Sequence, residues 1–129
     1  MTRVLNKILY VEDEADIRTV AQLALETVGG FTLQVWGSGE EAVKAGPDFM
    51  PDLILLDVMM PGMDGPTTLQ ALREQEGLRD VPVIFMTAKV QPNEIQQYKE
   101  LGAIEVIPKP FDPMTLADQV RRIWEKSHG

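Results

Sequence analysis

The stretch LILLDVMMPGMDG, residues 53–65, decides the fold of this chain. Its first four residues are apolar without alternation, which is typical of a parallel strand covered on both faces. The apolar run stops at Asp57 and a loop rich in proline and glycine follows, so this acid is expected at the carboxyl end of the strand. Pro66, directly after the loop, suits the first turn of a helix. The stretch therefore predicts a buried strand that ends in an acid and is followed by a crossover helix.

Four more short apolar runs flank this stretch, and segments of helical periodicity separate them. The runs occupy residues 8–11, 31–36, 81–86 and 104–107. The β-α unit therefore occurs five times, and parallel strands joined by right-handed helical crossovers form a doubly wound sheet with helices on both faces. We expect an α/β fold with a five-stranded parallel sheet and five helices, in one domain over residues 1–129.

Caps and prolines predict where the helices begin and end. Ser38 followed by Glu41 is a capping-box pattern at the start of the second helix, and Gly46-Pro47 is expected to end it. The fifth helix is expected to begin at residues 112–113. Apolar residues at helical spacing predict the inner faces of the first and last helices, namely Ile17, Val20, Ala21, Ala24, Leu25, Val28, Leu116, Ala117, Val120, Ile123 and Trp124.

The composition limits the classes of function. With 129 residues, of which 44% are hydrophobic and 25% charged, the chain has the size and balance of one globular domain. Its net charge is -8 and no stretch is rich in lysine or arginine, so direct binding of nucleic acid is not expected. Cysteine is absent, and no apolar run is long enough to cross a bilayer. We therefore expect a cytoplasmic protein without membrane insertion.

Five polar residues follow the predicted strands, at the end of the sheet where ligands bind in this architecture. They are Glu12 and Asp13 after strand one, Asp57 after strand three, Thr87 after strand four and Lys109 after strand five. Three carboxylates close together are costly unless a cation neutralises them. Ligands that are all oxygen suit a hard cation such as Mg²⁺. The convergence therefore predicts a metal site.

The same residues suit phosphoryl transfer. A carboxylate such as that of Asp57 can attack phosphorus and form an aspartyl phosphate. The reaction needs positioning and charge neutralisation, which a metal on one side and the ammonium of Lys109 on the other would supply. Taken singly, each residue has a simpler explanation, such as acids placed before a helix N-terminus. The prediction therefore rests on all five meeting at one edge of one sheet.

Together these motifs resemble the receiver domains of bacterial two-component response regulators. The resemblance covers almost the entire chain and is carried by Glu12-Asp13, Asp57, the loop at residues 60–65, Thr87-Ala88 and Lys109-Pro110-Phe111. It implies a flavodoxin-like sheet in the order 2-1-3-4-5. It also implies a chemotaxis-regulator-like, stand-alone signalling switch that catalyses only its own phosphorylation and dephosphorylation.

The resemblance implies a role for each residue. Three residues would meet the phosphoryl group, namely Asp57 as the phosphoacceptor, Thr87 and Lys109. Four groups would hold Mg²⁺, namely Glu12, Asp13, Asp57 and the backbone carbonyl of Met59. The peptide bond between Lys109 and Pro110 is expected to be cis. The donor would be a phosphohistidine on a sensor histidine kinase or a histidine phosphotransfer protein. Phosphorylation would change the face of helix four, strand five and helix five, for a downstream protein target or onward phosphotransfer.

Three positions depart from the pattern of the family. Val106 stands on strand five where the family often has an aromatic residue that moves inward with the threonine, so the output mechanism must differ or be weaker. Met59 and Lys89 stand two residues after Asp57 and Thr87, at sites that modulate the lifetime of the phosphoryl group. That lifetime therefore does not carry over from a relative.

Three other functions compete with a phosphorylation switch. A phosphatase of the haloacid-dehalogenase kind needs a second acid two residues after the nucleophile, where this chain has Met59. A flavodoxin-like electron carrier needs a phosphate-binding loop after strand one, where residues 12–14 are all acidic. A phosphorylation-independent protein-binding module on the same fold stays open as the alternative.

Overall fold

In a computed structural model, which describes residues 4–128, the strands form one sheet. Its order is β2-β1-β3-β4-β5 and every neighbouring pair is parallel. The strands are β1 Lys7–Val11, β2 Thr32–Trp36, β3 Leu53–Asp57, β4 Val83–Thr87 and β5 Glu105–Pro108. The predicted fold class and the implied strand order are confirmed.

Within the described residues, five α-helices connect and follow the strands. They are α1 Ala15–Gln22, α2 Gly39–Phe49, α3 Gly65–Arg73, α4 Pro92–Glu100 and α5 Leu116–His128. The predicted cap of α2 is present, since Ser38 Oγ accepts a hydrogen bond from Glu41 N–H. At the start of α3 the cap is Asp64, whose Oδ1 accepts a hydrogen bond from Thr67 N–H. These caps fix where α2 and α3 begin, directly beyond the strands that precede them.

The first helix is not α-helical throughout. After α1 the chain continues as a π-helical segment, Leu23–Val28, in which Gly29 N–H bonds five residues back to the carbonyl of Ala24. Ala21, Ala24 and Leu25 are buried as predicted, but Val20 and Val28 are exposed, at 42% and 57%. Val20 lies about 100° around the helix from Ala21. The wider π turn moves Val28 off the inner face.

The predicted end of α2 at Gly46-Pro47 is wrong, because the helix continues to Phe49. A proline removes one backbone donor but does not prevent the residues after it from staying helical. Gly46 also packs tightly on the sheet, since a Cβ there would lie 3.1 Å from Leu9 Cδ2. The helix ends instead at Met50, whose φ of 53° is left-handed.

The predicted start of α5 at residues 112–113 is also wrong, because the helix begins at Leu116. Asp112 instead organises a turn: its Oδ1 accepts from Met114 N–H at 2.9 Å, and its carbonyl accepts from Leu116 N–H at 3.0 Å. Within α5 the side chains of Leu116, Ala117, Val120 and Trp124 are buried, and Ile123 is half-buried. The inner face of this helix was therefore predicted well.

The core lies on both faces of the sheet. One cluster joins the sheet to α1, the π segment and α5, and it includes Tyr10, Leu25, Leu55 and Trp124. The other joins the opposite face to α2, α3 and α4. All five residues of β3 and all five of β4 are buried. The polar residues that end these strands therefore lie at the margin of an apolar core.

Candidate functional site

The carboxyl ends of three adjacent strands bring the predicted site residues together. Asp57 is the last residue of β3 and is only 2% exposed. Thr87 is the last residue of β4, 1% exposed, and its neighbour Met86 pairs with Asp57 in the ladder. Glu12 directly follows β1 and is fully buried. Burial of two carboxylates at such an edge requires compensating charge.

Lys109 supplies part of that charge. Its Nζ donates to Glu12 Oε1 at 2.8 Å and to Asp57 Oδ1 at 3.2 Å. The backbone N–H of Lys109 donates to the carbonyl oxygen of Thr87 at 3.0 Å, which ties the end of β5 to the end of β4. The peptide bond between Lys109 and Pro110 is cis, as the resemblance implies. One ammonium therefore bridges acids from two different strands.

The acids fit a divalent cation. Glu12, Asp13 and Asp57 each offer a carboxylate oxygen, and these oxygens all lie within 4.8 Å of one another. When the three acids are ionised and Lys109 is charged, these four side chains together carry two negative charges. Oxygen ligands and this residual charge match what Mg²⁺ requires of a protein. The donor set therefore fits the metal that the resemblance implies.

The pKa values of Asp57 and Lys109 both reflect the closeness of these charged groups. Burial, followed by the charge of Glu12 and a hydrogen bond to it, raises the pKa of Asp57 to about 7, although Lys109 acts in the opposite direction. Burial lowers the pKa of Lys109, but its bonds to Glu12 and Asp57 outweigh that effect and raise it. In the absence of a cation the site therefore favours a proton on Asp57 and keeps Lys109 charged.

The two remaining predicted residues lie beside this cluster. The Oγ1 of Thr87 accepts a hydrogen bond from Lys89 N–H at 3.1 Å, so the hydroxyl is held by the loop that follows β4. Met59 lies in the loop two residues beyond Asp57, with its side chain 62% exposed. The group expected to bind metal there is its backbone carbonyl, and that role stays a prediction.

Two residues that shape the site were not predicted from the sequence. Gly65, at the start of α3, donates its N–H to the carbonyl of Val58 at 2.9 Å and brings the helix against the end of β3. Arg18, in α1, donates from Nη1 to the carbonyl of Glu12 at 2.7 Å. The motif around residues 60–65 hinted at Gly65 only as a turn residue. An arginine on a predicted helix gives no comparable signal.

Comparison with known proteins identifies the family. Residues 8–121 match the family model described as response regulator receiver domain. The transcriptional regulatory protein CpxR of Escherichia coli is 39% identical over 124 residues, which cover 96% of this chain and 51% of that protein. The DNA-binding response regulator MtrA of Mycobacterium tuberculosis is 36% identical over 121 residues, covering 94% of this chain and 51% of that protein. The chain thus spans about half the length of the curated relatives it matches.

The fold agrees with a solved structure of the same kind. The chemotaxis response regulator CheY4 of Vibrio cholerae superposes with a TM-score of 0.85 at 30% identity, covering 93% of this chain and 99% of that one. Among residues 4–128, no helix is both long and apolar enough to span a membrane. The chain belongs to the receiver-domain family of two-component response regulators, whose members act as phosphorylation-regulated switches.

Proposed function

We propose that this receiver domain is switched by transfer of a phosphoryl group to Asp57, with Mg²⁺ as cofactor. One observation carries this proposal. The buried carboxylate of Asp57 lies 3.2 Å from Lys109 Nζ, and carboxylate oxygens of Glu12 and Asp13 lie within 4.8 Å of it. If Asp57 had only a structural role, the ammonium of Lys109 would be enough to neutralise its charge. Two further carboxylates beside it are unfavourable unless the site binds a cation.

Asp57, Lys109 and Thr87 each have a role in the transfer of the phosphoryl group. An oxygen of Asp57 forms the new bond to phosphorus while the bond from phosphorus to the donor's imidazole nitrogen breaks. The electron pair of that bond stays on the imidazole, which then takes up a proton. Lys109, released in part from Asp57, neutralises a phosphoryl oxygen, and the hydroxyl of Thr87 donates a hydrogen bond to another. Both groups already lie at the ends of neighbouring strands.

Glu12, Asp13, Asp57 and the backbone carbonyl of Met59 would hold the metal. When bound, Mg²⁺ supplies positive charge to the phosphoryl oxygens during transfer. Glu12 is the most rigid of these ligands, since both of its carboxylate oxygens already accept hydrogen bonds, one from Lys109 Nζ and one from Glu14 N–H. Asp13 is half-buried and is the ligand open to solvent.

The proposed partners follow from the same chemistry. The donor is a phosphohistidine on a sensor histidine kinase or a histidine phosphotransfer protein, and the place of action is the cytoplasm. Residues 1–129 act as one receiver unit that catalyses no turnover beyond its own phosphorylation and dephosphorylation. With a net charge of -8, the domain contacts protein and not nucleic acid.

We place the output on the face formed by α4, β5 and α5. Val106 on β5 is 8% exposed and too small to signal by rotation of a ring. The aromatic group on this face is instead Tyr98 of α4, which packs edge-on against Phe85 of β4, with ring centroids 5.5 Å apart and planes at 74°. Phe85 lies two residues before Thr87 and so on the same face of its strand. Movement of Thr87 would therefore reach α4 through this pair.

The test is phosphorylation by a small donor. The purified protein is incubated with MgCl₂ and acetyl phosphate, and its intact mass is measured with and without EDTA. Asp57→Asn is compared with Asp118→Asn, which removes an exposed carboxylate from α5. We expect one phosphoryl group that requires metal and Asp57 and is unaffected at Asp118. Equal labelling of Asp57→Asn contradicts the assignment. No labelling of the folded protein by acetyl phosphate or by a phosphohistidine donor favours a phosphorylation-independent binding module.

A further inference from the structure

The loop between β1 and α1 carries two of the proposed metal ligands, and the side chain of Arg18 bonds to its backbone. Glu12 N–H donates to the carbonyl of Trp36 at 3.1 Å, which extends the ladder between β1 and β2. The Nη1 of Arg18 donates to the carbonyl of Glu12 at 2.7 Å, whereas the bond from Arg18 N–H to the carbonyl of Glu14 at 3.0 Å is the ordinary backbone bond of the first turn of α1. The side chain of one residue of α1 therefore holds the backbone carbonyl at the start of the loop.

Asp13, in the middle of this loop, has no such support. Among residues 4–128, no hydrogen bond or ion pair reaches its carboxylate. The direction of the side chain therefore depends on the backbone to either side. A peptide group is planar, so a bond that fixes the carbonyl of Glu12 also fixes the amide of Asp13. The guanidinium of Arg18 makes that bond.

We propose that Arg18 is a positioning residue that orients Glu12 and Asp13 and thereby sets the affinity of the site for Mg²⁺. The inference rests on the proposed function, because it assumes that these acids bind the metal. Groups that orient metal ligands without touching the metal commonly change its affinity by about 10- to 100-fold when they are removed. Arg18 would act through the backbone, which no replacement of a ligand side chain can imitate.

The sign of the effect separates positioning from simple electrostatics. Arg18 is a cation near a cluster of carboxylates, and removing a nearby cation makes the cluster more negative. Through charge alone, its loss would leave Mg²⁺ binding unchanged or strengthen it. Through positioning, its loss weakens binding. The two explanations therefore predict opposite changes in the dissociation constant.

Gly37 offers a second way to move the guanidinium without removing it. A Cβ on Gly37 would lie 3.0 Å from Arg18 Nη1 and 3.4 Å from its Cζ. These distances are shorter than ordinary van der Waals contacts, and the flexible end of the arginine side chain can move to relieve them. Gly37→Ala therefore displaces the donor of the bond to Glu12 while the charge and every proposed ligand stay in place.

The experiment is titration of the ¹⁵N-labelled protein with MgCl₂, followed by amide chemical shifts. The variants are Arg18→Met, Arg18→Lys, Gly37→Ala, the double variant Arg18→Met/Gly37→Ala, and Arg122→Met as the control. Arg122 is an exposed arginine of α5 that also donates to a backbone carbonyl, so its replacement removes the same charge far along the chain. Urea unfolding in EDTA measures the stability of each protein without metal.

We expect Arg18→Met to weaken Mg²⁺ binding about 10-fold and Arg18→Lys to recover part of the loss. Gly37→Ala should weaken binding by a smaller factor and add nothing in the Arg18→Met background. Arg122→Met should bind as the parent does. If Arg18→Met fails to fold, Arg18→Lys and Gly37→Ala still decide the question.

Equal or tighter binding by the Arg18 variants overturns the inference, as does a full additional effect of Gly37→Ala in the Arg18→Met background. If the parent protein itself binds no Mg²⁺, the proposed function and the inference both fail. If the parent binds Mg²⁺ and all variants bind equally, only the role of Arg18 is rejected.

Discussion

Gly65 lies so close to Asp57 that a Cβ on the glycine would be 2.5 Å from the carbonyl oxygen of the acid. The same Cβ would lie 2.8 Å from Val58 Cα. Both obstacles are backbone atoms, so no side-chain rotation can relieve the contact. The start of α3 therefore packs directly against the end of β3, where the proposed nucleophile Asp57 lies.

Gly65→Ala should destabilise the protein by about 2 kcal/mol and slow phosphorylation of Asp57, because either α3 or the end of β3 has to move. Urea unfolding and the rate of labelling by acetyl phosphate measure the two effects. Gly77→Ala is the matched control, since a Cβ there meets no atom within 4 Å. A wild-type rate in Gly65→Ala would show that the contact does not position Asp57.

Asp57→Asn should make the metal-free protein more stable above pH 7. The pKa of Asp57 is raised from 3.8 in the unfolded chain to about 7 in the fold. The fold therefore binds the proton of Asp57 more tightly than the unfolded chain does. The stabilisation that this gives is fully present below about pH 4 and is lost as the pH rises through 7. Asparagine does not ionise, so the variant should gain on the order of 2 kcal/mol over the parent at pH 8.

The measurement is urea unfolding in EDTA at pH 5, 6, 7 and 8 for both proteins. The difference between them should grow with pH, and MgCl₂ should reduce it at pH 8 by binding the ionised parent. A difference that stays constant with pH would contradict a raised pKa for Asp57.

Lys109→Ala should leave Mg²⁺ binding intact but weaken the conformational response to phosphorylation. Without metal at pH 8, removing the ammonium leaves Glu12 and Asp57 buried without their cation, which should cost about 3 kcal/mol of stability. Added MgCl₂ should restore more stability to this variant than to the parent. Amide chemical shifts of α4, β5 and α5 before and after acetyl phosphate report the response. A response equal to that of the parent would reject the role of Lys109.

Asp13→Asn should separate metal binding from folding. No described hydrogen bond depends on the Asp13 carboxylate, and its replacement relieves repulsion with Glu12 and Asp57, so the metal-free variant should be at least as stable as the parent. The rise of the thermal midpoint with MgCl₂ should shrink, because binding stabilises the folded state in proportion to occupancy. Asp16→Asn, which removes an exposed acid from the first turn of α1, is the control. Equal rises in Asp13→Asn and the parent would remove Asp13 from the proposed ligand set.

The order of apolar runs and helical segments in the sequence was sufficient to predict the parallel sheet and the proximity of Glu12, Asp13 and Asp57. The runs at residues 8–11 and 53–56 are apolar without alternation, as expected for parallel strands covered by helices on both faces. Parallel strands joined by helical crossovers place all their carboxyl ends at one edge. The proximity of Glu12, Asp13 and Asp57 therefore followed from topology before any distance was known.

Helix ends were predicted less well, because they depend on contacts between elements. Gly46-Pro47 predicts the end of a helix, yet α2 continues to Phe49, and its glycine packs against β1. The segment Leu23–Val28 reads as ordinary α-helix, yet it is π-helical. Neither outcome is visible in local periodicity, since the deciding interactions come from the packed fold.

The sequence by itself determined which residue types stand at the strand ends, because strand burial and connectivity are properties of local pattern. Only the tertiary structure decided how those residues are held. It set the bridge from Lys109 to Glu12 and Asp57, the bond from Arg18 to the carbonyl of Glu12, and the contact of Gly65 with Asp57. These interactions join atoms across different elements, and their distances depend on how helices pack on a sheet to within a few tenths of an ångström.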